Sequence, residues 1–251
     1  MNTPETATTG SIRFSEAGIL SGVIGRRNSS DRGLSVEDIR TREKSLLADL
    51  AGIRAESVFI LSQVHGVQSF TIGPDDVAGE TFFGEGDALY TDTPGKLLCV
   101  RTADCLPVFF VFRKSSSNGE KIRVGVIHAG WKGLAEGIIP QTLQKASDFF
   151  QDGKKISARI YGGPCIGGKS YEVGYEVASR FPRYESRGSS FYLDIWENAK
   201  LQIEELALPG LMIEEKDVLC TFLENDRFYS HRRKDSGRNL NYIMITGENG
   251  I

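Results

Sequence analysis

Short blocks of apolar residues, separated by glycines or polar turns, run along most of this chain and predict a structure built largely from strands. Runs of about 4–8 apolar or β-branched residues between turn residues are typical of buried strands. Such runs occupy residues 11–14, 19–24, 58–61, 68–72, 86–91, 97–101, 107–112, 123–128, 157–161, 191–195, 218–222, 228–231 and 240–245. Residues 36–51, 131–150, 175–181 and 196–206 predict helices.

Local end signals support these helices. Ser35 precedes the first helical segment, Asp38 follows three residues later, and Gly52 comes directly after the last residue of the segment. Ser and Asp in these positions predict a capping box, and glycine is the usual residue just beyond a helix end. Pro140 lies inside the second segment and predicts a kink or a break, because proline lacks the N–H that a helix interior needs.

The strands outnumber the helices, and the chain contains no repeat, no low-complexity linker and no shift of composition. We therefore predict an α+β fold in a single domain, residues 11–251. Residues 1–10 are polar and rich in threonine, with neither a basic start nor an apolar core. They predict a disordered leader and not a signal peptide.

Composition and charge narrow the function classes. The chain has 251 residues, a formal net charge of −3, 40% hydrophobic residues and 25% charged residues, which is typical of a soluble globular protein. No basic excess points to nucleic acid as a partner, and no apolar run approaches the ~18 residues of a membrane span. We predict a cytoplasmic protein, either a monomer or a homodimer, whose four cysteines are thiols or metal ligands.

Candidate chemistry is concentrated in residues 102–133. Cys105 starts the apolar run 107–112, and His128 ends the run 123–128. If the two runs pair as antiparallel strands, the thiol and the imidazole meet at the same end of a sheet. His65 follows the run 58–61 and is a third candidate. From spacing alone, a metal site, a Cys/His nucleophile pair and histidines with a structural role all remain open.

Two further features have competing interpretations. Asp104 could orient a neighbouring ligand or move a proton, or it could be a turn residue that accepts hydrogen bonds from backbone N–H groups. Residues 163–170 match the spacing of a phosphate-binding loop, with Lys169 and Ser170 at its end. Pro164 removes one of the N–H groups that such a loop offers to phosphate. We therefore favour a structural turn over a nucleotide hydrolase.

Several motifs together resemble the laccase-domain (multicopper polyphenol oxidase-like) family. They are Gln63-Val64-His65-Gly66, Gly86-Asp87-Ala88, Thr102-Ala103-Asp104-Cys105-Leu106-Pro107, His128-Ala129-Gly130-Trp131-Lys132-Gly133, Gly163-Pro164-Cys165-Ile166, Tyr171-Glu172-Val173, Ser230-His231-Arg232-Arg233 and Gly237-Arg238-Asn239. The resemblance implies one domain of mixed layered sheets flanked by helices. It also implies a zinc-dependent purine nucleoside phosphorylase with adenosine deaminase activity, which acts on adenosine and inosine, with methylthioadenosine as a further candidate substrate.

The resemblance also implies roles for individual residues. His65, Cys105 and His128 correspond to the metal ligands of the family. Together with Asp104, which adjoins Cys105 in the sequence, they are the predicted catalytic residues. The implied metal is zinc, with copper as the alternative, and three protein ligands would leave a fourth position open. A nucleoside and phosphate are the implied small-molecule partners.

The candidate substrate contacts, each of which we expect to hold phosphate, are Arg42, Lys132, Arg232 and Arg238. The N-terminal part departs from the family pattern, because Thr41 stands where the family has the Asn of an Asn-Arg pair. Arg42 is a candidate because it corresponds to the Arg of that pair.

Three alternatives to the phosphorylase have different requirements. Two His, one Cys and a weak axial Met resemble an electron-transfer copper site, but the trinuclear centre of a copper-dependent polyphenol oxidase needs many further imidazoles. The chain has three histidines, which argues against laccase chemistry. A zinc amidohydrolase acting on a cell-wall precursor would use the same open metal site. A non-enzymatic module would need a fourth protein ligand.

Overall fold

The computed structural model describes residues 11–27, 33–79, 82–116, 119–150 and 156–247, which contain three sheets and five α-helices. The strands are β1 (Ser11–Arg13), β2 (Ile19–Ile24), β3 (Val58–Ile60), β4 (Ser69–Ile72), β5 (Ala88–Thr91), β6 (Leu97–Thr102), β7 (Leu106–Ser116), β8 (Gly119–Ala129), β9 (Ile156–Gly162), β10 (Glu172–Val173), β11 (Glu185–Arg187), β12 (Ser190–Tyr192), β13 (Leu211–Glu214) and β14 (Asn239–Ile245). The helices are α1 (Val36–Ala51), α2 (Trp131–Ala135), α3 (Ile138–Ala146), α4 (Tyr175–Ala178) and α5 (Ile195–Glu204). The disordered leader predicted for residues 1–10 lies outside the described residues.

Two large mixed sheets form the centre of the domain. One has the strand order β1-β2-β14-β6-β3, and the other has the order β13-β9-β7-β8-β5-β4. Strands β7 and β8 form a long antiparallel hairpin in the second sheet, whereas β3 runs parallel to β6 in the first. A small third sheet has the order β10-β12-β11.

Alternation along β7 explains how the layers are held together. Phe109 and Val111 belong to the core that also contains residues of the five-stranded sheet, such as Phe59 and Ile243. The intervening Val108, Phe110 and Phe112 pack in a second core with residues of α2, α3 and α5. Successive side chains of a strand point to opposite faces, so one strand serves two cores.

Helix α1 covers the outer face of the five-stranded sheet, with Leu47 packed in a third core that includes Ile60 and Tyr242. The order of layers is therefore helix, sheet, sheet, helices. This confirms the prediction of one α+β domain with mixed layered sheets flanked by helices. Among the helices of the described residues, none has the length and apolar character of a membrane span.

The predicted ends of α1 are confirmed. The Ser35 hydroxyl accepts a hydrogen bond from the N–H of Asp38, and the Asp38 carboxylate accepts one from the N–H of Ser35. Gly52 follows with φ of 61°, a left-handed conformation that glycine adopts without strain.

The helix predicted over residues 131–150 is broken, but not at Pro140. It divides into α2, α3 and a 3-10 turn, Ser147–Phe150, and the break lies at Gly137 with φ of 81°. Pro140 is the third residue of α3, where an N–H has no partner within the helix. Proline therefore fits the start of the second helix, and the glycine makes the bend.

Two predicted strands are wrong, at 218–222 and at 228–231. Only Cys220 of the first segment makes an isolated bridge, with Cys165. In the second segment the Asn239 side chain pairs with the backbone N–H and C=O of Tyr229, at 2.9 and 3.0 Å. A side chain thus satisfies the groups that a neighbouring strand would have used.

Smaller boundary differences also have local causes. The strand predicted at 191–195 ends at Tyr192, because Asp194 caps α5 by accepting a hydrogen bond from the N–H of Glu197 at 3.0 Å. The helix predicted at 175–181 extends only over Tyr175–Ala178. The sequence pattern missed β13, which pairs in parallel with β9.

We predict that Ser35→Ala lowers the free energy of unfolding by about 1 kcal/mol, because the capping hydrogen bond to Asp38 is lost. Urea unfolding of wild type and variant measures the difference. Ser45→Ala is the matched control, since its hydroxyl bonds Thr41 within the same helix and caps nothing. Equal stability of Ser35→Ala and wild type would contradict the role of the capping box.

Candidate metal centre and the cavities beside it

The antiparallel hairpin of β7 and β8 brings Cys105 and His128 together. Pro107 pairs with His128 and Leu106 pairs with Ala129, so Cys105, the residue before β7, lies next to the end of β8. His65 reaches the same place from the loop after β3. The potential ligand atoms of His65, Cys105 and His128 all lie within 4.8 Å of one another, and His65 Nε2 is 3.7 Å from Cys105 Sγ. We call these three residues the triad.

A buried carboxylate, Asp87, orients both histidines. It accepts a hydrogen bond from His128 Nδ1 at 2.8 Å, and from the backbone N–H groups of His65 and Gly66 at 3.0 and 2.7 Å. With Nδ1 engaged, the Nε2 atom of His128 is the nitrogen left for a metal. Burial alone raises the pKa of Asp87, but the contacts with His128 and the two N–H groups outweigh it and lower that pKa.

Two backbone features complete the support of the triad. His65 has φ of 60°, a left-handed conformation that is uncommon for a residue with a side chain, and its N–H is held there by Asp87. A Cβ atom at Gly130 would lie 2.7 Å from His65 Cδ2 and 3.0 Å from Cys105 Sγ. Glycine is therefore required at position 130 for the triad to approach the backbone.

The triad residues shift one another's protonation. Burial alone raises the pKa of Cys105, but the His128 and His65 rings outweigh it and bring that pKa to about 6. Burial alone lowers the pKa of His128, whereas Cys105 and Asp87 raise it to about 9. Thiolate is the form of cysteine that binds metals, and a bound ion would replace the proton associated with the pair.

The donor set fits a zinc ion. Two imidazoles and a thiolate are ligands that zinc prefers, and three protein ligands leave room for water or substrate. Copper electron-transfer sites usually add a weak axial methionine to the same set. Met212 and Met244 belong to β13 and β14, and neither lines a cavity beside the triad.

Asp104 holds a nearby loop in place. Its carboxylate accepts hydrogen bonds from the hydroxyls of Thr221 and Ser230, at 2.6 and 3.0 Å, and from the N–H of Arg232 at 2.7 Å. These contacts favour the interpretation of Asp104 as a turn residue that positions the segment carrying Arg232. The catalytic role of Asp104 stays a prediction.

One cavity beside the triad, of about 330 Å³, is largely apolar, and we call it the aromatic cavity. Its lining includes His65, Ala103, Cys105, Trp131, Ile166, Tyr171, Ile195 and His231. Burial raises the pKa of Tyr171 to about 12, so its hydroxyl keeps its proton. Aromatic rings and two triad residues, His65 and Cys105, therefore line the same cavity.

Two of the predicted substrate contacts border the aromatic cavity. The Arg232 guanidinium lies 5.2 Å from the centroid of the Tyr171 ring and donates to the carbonyl of Glu172 at 2.8 Å. Lys132 also lines this cavity, with Nζ 5.7 Å from the centroid of the Trp131 ring. Both cations thus accompany aromatic side chains.

A second cavity, also of about 330 Å³, contains arginines and touches all three triad residues; we call it the arginine cavity. Its lining includes Arg40, Gln63, His65, Arg101, Cys105, His128, His231 and Arg238. His65, Ala103, Cys105 and His231 line both cavities. The triad therefore lies at the border between an aromatic space and a basic one.

Of the two remaining predicted substrate contacts, one lines the arginine cavity and the other does not. Arg238 lines it, whereas Arg42 lies on the exposed face of α1 and lines neither cavity. Arg40 lines the arginine cavity instead. Residues that are two positions apart in an α-helix lie about 200° apart around its axis, so Arg40 and Arg42 face opposite ways. Arg40, Arg101 and Asp87 are site residues that spacing along the sequence did not identify.

Residues 163–170, whose spacing matches a phosphate-binding loop, form a structural turn. Ser170 is followed by the short strand β10 and not by a helix, whose N-terminus such a loop requires. A Cβ at Gly168 would lie 2.9 Å from Asp194, so close packing explains that glycine. The remaining cysteines, Cys99, Cys165 and Cys220, are free thiols outside the triad.

Comparison with known proteins identifies a family and related folds. A family model described as multi-copper polyphenol oxidoreductase laccase matches residues 17–246. Purine nucleoside phosphorylase YfiH of Escherichia coli strain K12 is 30% identical over 222 residues, covering 85% of this chain and 83% of that protein. A purine nucleoside phosphorylase of Bacteroides thetaiotaomicron is 33% identical over 232 residues, covering 85% of this chain and 82% of the other.

Solved structures share the fold over nearly the whole chain. YlmD from Geobacillus stearothermophilus has a TM-score of 0.76 and 26% identity, covering 95% of this chain and 97% of that one. Protein YfiH of Bacillus licheniformis has a TM-score of 0.77 at 23% identity, covering 96% of this chain and 98% of that one.

We predict that the purified protein retains about one zinc ion per chain, as expected for a site with three protein ligands. Cys105→Ala and His128→Ala should lose the ion, because each removes one of the three donors. Elemental analysis after dialysis measures metal content. Cys165→Ala, a buried thiol outside the triad, is the control and should retain the ion. Full zinc content in both triad variants would refute this ligand set.

We predict that Asp87→Asn weakens zinc affinity by about 10- to 100-fold, the usual cost of losing a partner that orients a metal ligand. All three contacts of Asp87 are with donors, so the amide NH₂ of Asn would face one of them. Competition with a chromogenic chelator measures the affinity, and thermal unfolding confirms that the variant is folded. An unchanged affinity in a folded variant would exclude this role.

Proposed function

This chain belongs to the family described as multi-copper polyphenol oxidoreductase laccase, and from that premise we propose that it is a zinc-dependent purine nucleoside phosphorylase. The names of its curated relatives support nucleoside phosphorylase activity, since both relatives described above are purine nucleoside phosphorylases. Adenosine and inosine are the proposed substrates, with methylthioadenosine as a further candidate. Adenosine deaminase activity is proposed for the same site.

The observation that carries this proposal is the position of the triad between two unlike cavities. Phosphorolysis joins a nucleoside, which has a flat base, to phosphate, which carries negative charge. Purine bases stack on aromatic rings, and phosphate pairs with guanidinium groups. The aromatic cavity suits the first partner and the arginine cavity suits the second, and both border His65 and Cys105.

The reaction makes defined demands on these residues. A phosphate oxygen forms a bond to C1′ of the ribose, while the bond from C1′ to N9 breaks and the base leaves with the electron pair and gains a proton. Trp131 and Tyr171 would hold the base, and arginines would hold the phosphate against the sugar. Arg232 and Lys132, which lie beside those rings, are proposed as nucleoside contacts. The ion held by the triad would supply Lewis acidity to an oxygen of water or substrate.

Deamination uses the aromatic cavity without the basic one. Water replaces the exocyclic amine of adenosine, and ammonia leaves. No phosphate takes part, so the two activities should share the triad and differ in their dependence on phosphate. The open coordination position of a three-ligand zinc site suits this hydrolytic step.

The alternatives receive less support from the site. A polyphenol oxidase with a trinuclear copper centre needs many further imidazoles, and His231 is the one histidine of the chain outside the triad. No described feature of the cavities favours the amide of a cell-wall precursor over a nucleoside. A purely structural metal would need a fourth protein ligand, whereas the triad borders two cavities.

We predict that the zinc-loaded protein converts inosine to hypoxanthine and ribose 1-phosphate only when phosphate is present, and adenosine to inosine with or without phosphate. Mass spectrometry identifies the products. His65→Ala should abolish both reactions, because both depend on the metal, and Cys165→Ala should retain them. If wild type with full zinc content yields none of these products, the proposed function is incorrect.

A further inference from the structure

We infer that Arg40, Arg101 and Arg238 form the binding site for inorganic phosphate in the arginine cavity, an assignment that rests on the proposed function. These three arginines come from α1, from β6 and from the residue before β14. The fold brings them to one cavity that also touches His65, Cys105 and His128. The inference replaces Arg42 as a phosphate contact with Arg40.

The charges around the arginine cavity do not balance. Glu43 has a side chain that is 3% exposed and forms ion pairs with Arg101, at 2.7 Å, and with Arg27, at 3.4 Å. One carboxylate is thus shared by two guanidinium groups. Partly buried cations that lack a counter-ion are costly, and an anion in the cavity would relieve that cost.

Arg40 and Arg238 add two more positive charges without a carboxylate partner in the part of the chain that the structure describes. The Arg40 guanidinium lies over the Phe82 ring, 3.8 Å from its centroid, and its buried Nε has no hydrogen-bond partner. Burial and the nearby charges of Arg101 and Arg238 outweigh the opposing effect of Glu43 and lower the pKa of Arg40 to about 10. Arg40 is therefore a charged donor at neutral pH, and the acidic group that acts on it, Glu43, already pairs with Arg27 and Arg101.

The guanidinium groups of Arg101 and Arg238 are also held in place before any ligand binds, that of Arg101 by Glu43 at 2.7 Å. The Gln63 amide pairs with the backbone N–H and C=O of Arg101, at 2.7 and 2.8 Å. Arg238 donates to the carbonyls of Ser236 and Gly237, and its own carbonyl accepts from Arg27. A guanidinium presents its donors in a planar fork that matches phosphate oxygens, and holding the fork in advance reduces the entropy lost on binding.

Inorganic phosphate suits this cavity better than a carboxylate does. The lining of the cavity has three guanidinium groups and no carboxylate, so a dianion neutralises its charge more completely than a monoanion does. The 5′-phosphate of a nucleotide offers the same chemistry. We favour inorganic phosphate because the basic lining adjoins the aromatic cavity across the triad, where a co-substrate of the nucleoside would lie.

The test compares Arg40→Gln, Arg101→Gln and Arg238→Gln with wild type, all loaded with zinc. Isothermal titration with inorganic phosphate measures binding directly, and inosine cleavage gives the KM for phosphate. Loss of one charge-assisted contact should weaken phosphate binding, and raise this KM, by about ten- to hundred-fold. Zinc content and adenosine deamination should stay within a few-fold of wild type, which shows that each variant is folded.

Matched variants separate fork geometry from charge. Arg40→Lys keeps the charge but not the fork, so it should bind phosphate more weakly than wild type and more tightly than Arg40→Gln. Arg54→Gln removes an arginine whose side chain is 83% exposed and paired with Glu56, and it should bind as wild type does. Arg42→Gln tests the contact expected from the sequence.

The outcomes distinguish this inference from the proposed function. Phosphate binding that is lost in Arg40→Gln supports the site even if no nucleoside is cleaved, and then the phosphorylase proposal alone fails. Unchanged phosphate binding in the three glutamine variants overturns the inference, as does loss in Arg42→Gln in place of Arg40→Gln. Titration with a nucleoside 5′-monophosphate is the last arm. Arginine-dependent binding of that nucleotide, without binding of inorganic phosphate, also overturns it.

Discussion

The site depends on one buried carboxylate. Asp87 receives the Nδ1–H of His128 and the backbone N–H groups of His65 and Gly66. Its own N–H bonds Gln68, and its carbonyl accepts the N–H of His128. The residue just before β5 thus connects the loop after β3 with the end of β8. A carboxylate has enough lone pairs to accept hydrogen bonds from all three donors. The amide of Asn, which has the same size, lacks them because one of its two polar atoms is itself a donor.

The layered arrangement determines where a site can form. The strand β7 packs two cores with alternate side chains up to Phe112, so this part of the strand lies in the interior. The chemistry lies just before the strand, at Cys105. Around that end, α2 contributes Trp131 to one cavity and α1 contributes Arg40 to the other. The two helical layers lie on opposite sides of the sheets. This explains why the cavities beside the triad differ in character.

The sequence marks the members of the triad as candidates because each adjoins an apolar run, and the family resemblance implied that they are metal ligands. Sequence reasoning did not find Arg40 or Arg101, since an arginine on a helix or a strand is normally solvated and nothing nearby in the sequence distinguishes it. The family resemblance suggested Arg42, but the rotation of α1 places Arg40 at the cavity. Asp87 belonged to a recognised motif, but its role required the partners that folding brings to it.

The sequence by itself determined the features that depend on neighbours along the chain: the capping box and end of α1, most of the strands, and the pairing of β7 with β8. Tertiary structure decided the features that depend on distant residues. Asn239 occupies the backbone groups of Tyr229, so an apolar run does not become a strand. The arginine cavity likewise combines residues from Arg40 to Arg238, and its unbalanced charge exists only once folding has brought them together.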